Sequence, residues 1–379
     1  MRVLLTGFQF ATIGGLEIVS ANIAAALAGS GHEVQCAAVH ATGTTNTAAY
    51  RIVGVAPANR VVRSLAARVP ALFPVARMRQ LVDWADVIIA CHCHTLPLVF
   101  RAAGGRKPGK PVVAWLHGRE VWGGFGRTYA PYLAGVDRLV AVSHYTSDTV
   151  EDLLGPEHRP SVIHNSLDAD LFVPAADARA VERFSIATVG RQDLGTEHKG
   201  YGMLIEALAA IRRRPDAPPI TLKIAGDGSL VPQRREKAAA LGVADHVTFT
   251  GALSRAELVR LYATCDLFAF PSRLLVAPGD DISGEGFGVV NIEAASCGRP
   301  VLTSTHGGCP ETIVDGETGV LVDPTSVRSI ADGIERIFRL TPEERDAMGR
   351  RGRARVVEGF SHAVLSRRID DLLREVTAG

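Results

Sequence analysis

The sequence predicts an α/β protein made of two doubly wound, parallel-sheet domains with a cleft between them. Three observations carry this. At 379 residues the chain is too long for one ordinary core. Short apolar runs alternate with helical stretches through the first half, the pattern of strand–helix–strand units and a parallel sheet. The same alternation restarts near Ser185.

In the first half, Val3–Thr6 reads as the opening strand, Gly7 to Gly15 as a loop and Leu16 to Ala28 as a helix broken by Gly29-Ser30-Gly31. Glu33–Ala38, Val87–Cys91, Val112–Leu116 and Arg138–Val142 read as later strands. In the second half the strands are Ile186–Val189, Thr221–Ala225, Val247–Thr250, Leu267–Phe270 and Val301–Thr303. The boundary is expected in Pro174-Ala175-Ala176-Asp177-Ala178, giving domains 1–174 and 175–358 and a terminal segment 359–379. Arg60 to Arg79 is a basic, partly apolar stretch interrupted by Pro70 and Pro74; it reads as a solvated helical hairpin or a membrane-touching helix.

A formal charge of +1 argues against nucleic-acid binding. Six cysteines in this length do not suggest a disulfide framework; their apolar settings fit reduced thiols and a cytoplasmic location. No apolar run approaches the ~18 residues of a membrane span, and Met1 leads directly into a strand rather than a signal peptide.

The most informative stretch is Gly284-Glu285-Gly286-Phe287-Gly288-Val289, running on through Glu293 to Gly298-Arg299-Pro300. It reads as a glycine turn opening into a short helix. Glycines let a ligand touch the backbone, and a helix start offers free N–H groups to a phosphate. Glu293 lies five residues past Gly288, roughly 7.5 Å along a helix. That is about the reach from a diphosphate to a ribose. Glu285 precedes the helix. A carboxylate is a poor phosphate ligand, so both acids are read as acceptors from hydroxyls, which describes a nucleotide sugar.

This segment, with Gly307-Gly308-Cys309-Pro310-Glu311 downstream, resembles the donor motif of retaining GT-B glycosyltransferases of the GT4 family, in which seven residues separate two glutamates. The resemblance covers nearly the whole chain and implies the GT-B fold, two Rossmann-like domains facing a central cleft, with a terminal helix around His362 to Val376 crossing back to the first domain. It implies that Arg191, after Val189-Gly190, and Lys199, in His198-Lys199-Gly200, hold the leaving diphosphate. Gly14 and Gly15 look like the family's first-domain glycine loop and join Gly286, Phe287, Gly288, Val289 and Glu293 as donor-binding residues. His117 in Trp115-Leu116-His117-Gly118 and Glu285 are expected in catalysis. Glu17, His92, His94 and Glu120 are expected on the acceptor side.

Cys91-His92-Cys93-His94 lacks zinc-site spacing and a partner cluster, and no Asp-x-Asp stands at a strand end, so no metal and no cofactor are expected. The chemistry the family implies is retaining, metal-independent hexosyl transfer. UDP is favoured as the nucleotide because it is common in relatives. The expected acceptor is a small polar molecule, conceivably an aminocyclitol or aminoglycoside of antibiotic biosynthesis; a lipid headgroup at a membrane surface is the runner-up. A sugar-nucleotide epimerase and a non-catalytic nucleotide-sugar-binding protein are the competing readings. A dinucleotide oxidoreductase and a P-loop kinase lack their glycine signatures.

Overall fold

The chain begins in strand β1 (Arg2–Gly7), whose burial is continuous after Arg2, as a central strand covered on both faces requires. The structure is a computed structural model and describes residues 1–10, 15–57, 75–175, 183–215 and 217–378. Gly14, most of the basic stretch 60–79 and part of the segment 174–178 lie outside the described residues.

The chain divides into two units. The first comprises Met1–Ser166, Gly279–Asp281 and His362–Gly379; the second comprises Leu167–Pro278 and Ile282–Ser361. The passage between them falls at Ser166/Leu167 and at Ser361/His362. Leu167 donates its N–H to the Phe360 carbonyl at 3.0 Å, so the outgoing and returning chains are tied side by side in the second unit.

The first unit holds β1, β2 (Glu33–Ala38), β3 (Thr44–Asn46), β4 (Arg51–Gly54), β5 (Val87–Ala90), β6 (Val112–Leu116), β7 (Arg138–Ala141) and β8 (Ser161–Val162). They form an 8-stranded sheet in the order β3-β4-β2-β1-β5-β6-β7-β8. All pairs are parallel except β3 with β4. Strand order reverses at β1/β5, the crevice where open α/β sheets take ligands. The terminal helix His362–Thr377 buries Leu365, Ile369, Leu372 and Leu373, an i, i+4, i+7, i+8 stripe. It packs on the first helix, Gly15–Gly29, where Asp370 accepts from Ser30 Oγ at 2.9 Å.

The second unit holds β9 (Phe184–Val189), β10 (Ile220–Ala225), β11 (Val247–Gly251), β12 (Leu267–Phe270), β15 (Val301–Ser304) and β16 (Gly319–Val322). They form a parallel 6-stranded sheet, β11-β10-β9-β12-β15-β16, with its switch point at β9/β12. β13 (Leu275–Ala277) and β14 (Asp281–Ser283) pair as a two-stranded hairpin. The core runs from Phe184, Ile186 and Ile224 through Leu204 and Leu208 to Ile330, Ile334 and Ile337. Both units are Rossmann-like.

Candidate functional site

In the second unit, β9 ends at Val189 and delivers Gly190 and Arg191 to the switch point. A Cβ on Gly190 would stand 2.5 Å from the Tyr201 hydroxyl, so only glycine fits. The Arg191 side chain is exposed and makes no hydrogen bond or ion pair among the described residues. Its backbone is fixed by the fully buried neighbour Gln192. Gln192 Nε2 donates to the Gly226 carbonyl at 2.7 Å, its N–H donates to the Asp227 carbonyl at 2.9 Å, and its Oε1 accepts from Arg234 at 2.9 Å. The Arg234 guanidinium lies 4.6 Å over the Tyr201 ring, and burial lowers its pKa.

Lys199 closes a short 3-10 turn, Glu197–Lys199. Gly200 follows at φ 78°, the left-handed region, and a Cβ there would stand 2.2 Å from the Pro271 carbonyl. The Lys199 ammonium lies 5.2 Å from the Phe270 ring centre and forms an ion pair with Oε1 of Glu285. The same oxygen is 3.4 Å from His198 Nε2, while His198 Nδ1 is 3.1 Å from the Ser283 hydroxyl. Burial pushes the Glu285 carboxyl up, but Lys199 and His198 outweigh it and hold the group down at about 2. Glu285 is therefore a carboxylate at neutral pH.

The glycine turn behaves as its sequence requires. Gly288 caps the helix Val289–Ser296 in a left-handed conformation, φ 92°. Phe287 is buried with its ring 5.5 Å from that of Phe360, so the turn is anchored by an aromatic contact. Gly307 and Gly308 support it from behind. Gly308 N–H donates to the Glu285 carbonyl at 3.1 Å, and a Cβ on Gly308 would stand 2.0 Å from the Gly286 carbonyl. One turn into the helix, Asn291 donates to Thr303 at 2.9 Å and Thr312 at 3.1 Å. Glu293 accepts from the Tyr262 hydroxyl at 2.7 Å. Burial raises the Glu293 carboxyl to about 7, with Tyr262 and Arg255 opposing the rise.

The first unit gathers the histidines at the C-terminal ends of β5 and β6, next to the β1/β5 switch point. His92 Nδ1 and His94 Nδ1 are 2.7 Å apart, a hydrogen-bonded pair. Two nitrogens ligating one tetrahedral ion at ~2.0–2.1 Å would stand about 3.3 Å apart. Phe8 packs against both rings at a tilt, with centroids at 4.6 and 5.7 Å. Burial lowers the pKa of each, and that of His92 strongly. His117 Nε2 donates to the Cys91 carbonyl at 2.7 Å; its Nδ1 is buried without a partner. Glu120 is buried, and its Oε1 accepts the His117 backbone N–H at 2.5 Å, bracing the turn after β6. Glu17, half-buried on the first helix, borders a small recess with Phe8, Ser20 and His92. Gly15 opens that helix with open space where a Cβ would stand.

Thus Arg191, Lys199, Glu285, the turn 286–289 and Glu293 belong to the second unit, and Glu17, His92, His94, His117 and Glu120 to the first. Sequence reasoning gave no role to His198, Tyr262, Gln192 or Arg234. His198 had the one available signal, its place beside Lys199.

Residues 178–355 match the family model described as glycosyl transferases group 1, and residues 13–171 match that of glycosyltransferase family 4. The chain is 33% identical over 308 residues to the GDP-mannose-dependent alpha-(1-6)-phosphatidylinositol monomannoside mannosyltransferase of Mycolicibacterium smegmatis, covering 79% of each chain. The chain belongs to the GT4, group 1 glycosyltransferases.

This transferase moves a sugar from a nucleotide sugar to an acceptor. The Mycobacterium tuberculosis protein of the same description is 33% identical over 79% of this chain and 78% of its own. A D-inositol 3-phosphate glycosyltransferase of Mycolicibacterium smegmatis is 32% identical over 54% of this chain and 46% of its own. Among solved structures, Anabaena HepE in complex with UDP and glucose superposes with a TM-score of 0.77 at 21% identity, covering 99% of this chain and 100% of its own. Sucrose-phosphate synthase of Thermosynechococcus elongatus superposes at 0.80, also at 21%, covering 100% and 99%. These two likenesses show the fold, GT-B.

The sequence-based preference for UDP and for an aminocyclitol acceptor is not supported by the mannosyltransferase relatives, whose names give GDP-mannose and an inositol lipid, although the HepE structure carries UDP. The reason is chemical. The donor residues singled out in the sequence address a diphosphate and a ribose, which all these nucleotides share, and Val247–Gly251, expected to line the slot for the base, carries no signal that tells one base from another. Among the described residues, no helix is long and apolar enough to cross a membrane.

Proposed function

We propose that this transferase moves mannose from GDP-mannose to a hydroxyl of a mannosylated phosphatidylinositol headgroup, with retention of configuration and without a metal ion. The carrying observation is the 33% identity over 79% of both chains to an enzyme of that description; Arg191, Lys199 and the glycine turn at a helix start, all in one unit, support the reading of a diphosphate site.

In this reading Arg191, Lys199 and the helix start at Val289 take the diphosphate, supplying the positive charge that stabilises the leaving group. The Glu285 carboxylate accepts hydrogen bonds from sugar hydroxyls and Glu293 from the ribose. The bond between sugar C1 and the diphosphate oxygen breaks, and a bond from C1 to the acceptor oxygen forms on the same face. The acceptor proton passes to the departing diphosphate. With Nε2 engaged by the Cys91 carbonyl, the unpartnered Nδ1 of His117 is left to accept a hydrogen bond from a hydroxyl and orient it. His92, His94, Glu17 and the turn braced by Glu120 shape the acceptor side, and Gly14 and Gly15 keep the donor-binding role that the family resemblance implies.

The inositol phosphate glycosyltransferase among the relatives supports a second reading, a soluble inositol phosphate as acceptor. One assay separates these. The protein is given GDP-mannose or a UDP-sugar with phosphatidylinositol monomannoside in detergent, with inositol phosphate, or with an aminocyclitol, with and without EDTA. Transfer from GDP-mannose to the lipid, undiminished by EDTA and giving an α product by NMR coupling constant, is the expected result. Transfer only from a UDP-sugar, or only to a soluble acceptor, replaces the donor or acceptor assignment. An inverted product or loss of activity in EDTA removes the corresponding mechanistic claim.

A further inference from the structure

We infer that His198 is a positioning residue for the sugar end of the donor site, holding the Glu285 carboxylate when Lys199 engages the diphosphate. The inference rests on the proposed role of Glu285 toward the sugar.

Oε1 of Glu285 is approached by two cation-forming groups, the Lys199 ammonium and, at 3.4 Å, His198 Nε2. The same ammonium is assigned to the diphosphate. Each bond it turns toward phosphate is one it withdraws from Glu285, and a shielded carboxylate that loses its partner is costly. The Glu285 side chain is only 21% exposed, so water replaces little of the loss.

His198 is built to remain in place. It is 8% exposed, and its backbone carbonyl accepts from Arg273 N–H at 2.8 Å. Its Nδ1 is 3.1 Å from the Ser283 hydroxyl. With Ser283 donating to Nδ1, the ring proton resides on Nε2, the nitrogen directed at the carboxylate. Ser283 thereby sets the tautomer, His198 holds the carboxylate, and Glu285 meets the sugar. The neighbouring Lys199 is released to the phosphate without leaving Glu285 unpaired.

The test uses the full chain with H198A, H198Q, S283A, E285Q and the H198A/E285Q double variant. Calorimetry measures the affinity for the free nucleoside diphosphate and for the nucleotide sugar, and turnover is measured with the donor the wild type uses. H198A is expected to keep nucleoside diphosphate affinity within about two-fold and to lose the extra affinity contributed by the sugar. Its turnover should fall about ten-fold or more, the scale of one charge-assisted hydrogen bond. H198Q should recover most of the loss, because a glutamine amide can donate to Glu285 and accept from Ser283. S283A should lie between H198A and wild type. H198A should cost nothing further in the E285Q background.

Normal turnover in H198A overturns the inference. So does an equal loss of nucleoside diphosphate affinity, or a full additional loss in the double variant. A merely structural histidine would lower the melting temperature without the split between the two affinities. A wild type that uses a donor other than GDP-mannose refutes the proposed donor alone, and the cycle then proceeds with that donor. A wild type that binds no nucleotide sugar overturns both.

Discussion

The Tyr262 hydroxyl donates to Oε2 of Glu293 at 2.7 Å, joining the helix Arg255–Thr264 to the helix that opens at the glycine turn. The bond occupies one carboxylate oxygen and leaves the other to a ligand. Burial lifts this carboxyl from 4.5 to about 7. Ribose hydroxyls are better held by the ionised form. Nucleotide affinity should therefore rise between pH 6 and 8, and E293Q should flatten that dependence. For stability the sign is opposite. A carboxyl raised on folding favours the folded state fully below its unfolded value of 4.5, and the benefit is lost as pH rises through about 7. Calorimetric titrations across this range, with melting curves on the same samples, check both. A flat wild-type affinity profile would contradict the ribose assignment.

Removing either cation of the proposed diphosphate site, Arg191 or Lys199, should weaken nucleoside diphosphate binding by about ten-fold or more, one charged hydrogen bond at about 1.4 kcal/mol per decade. The two variants should differ in stability. Arg191 has no partner among the described residues, so R191A should melt like the wild type. Lys199 pairs with Glu285, whose carboxyl is held at about 2 instead of 4.5. That pair stabilises above pH 4.5 and the contribution is lost as pH falls toward 2. K199A should melt lower at pH 7 and lose less on acidification. Unchanged affinity in both variants would remove the diphosphate assignment.

Gly308→Ala is expected to disable donor binding. Its Cβ would stand 2.0 Å from the Gly286 carbonyl, and the obstacle is backbone on both sides. Relief requires the phosphate turn to shift, at a cost of about 1–3 kcal/mol. Calorimetry should show the nucleotide affinity lost while circular dichroism remains that of a folded protein. Wild-type affinity would mean that the turn does not bind the diphosphate.

His117→Ala should lower transfer at least about ten-fold, the scale of one hydrogen bond to a reacting hydroxyl, and leave nucleotide affinity intact, because Arg191, Lys199 and Glu293 belong to the other unit. Gln or Asn at 117 should restore the bond to the Cys91 carbonyl without restoring the buried acceptor nitrogen. A variant with normal transfer and a lowered melting temperature would make His117 structural.

Much of the fold was legible in local pattern. β2, β6 and β12 fall where the apolar runs placed them, and β1, β9 and β10 extend by a residue or two. β3, β4, β8 and β16 went unread, since they are short strands outside the longer apolar runs. The hairpin β13/β14 also went unread: three-residue strands carry too little periodicity to register.

The sequence by itself determined the element types, the doubly wound class and the glycine turn with its two glutamates. These depend on periodicity and on backbone conformations that only glycine tolerates, both local properties. The tertiary structure decided how each acid is partnered. Lys199 and Glu285 are 86 residues apart, and Tyr262 and Glu293 are 31 apart. No local pattern links such pairs. The two glutamates have the same side chain, and folding drives one down to about 2 and the other up to about 7, because Lys199 and His198 outweigh burial at Glu285 whereas burial outweighs the opposing bond from Tyr262 at Glu293.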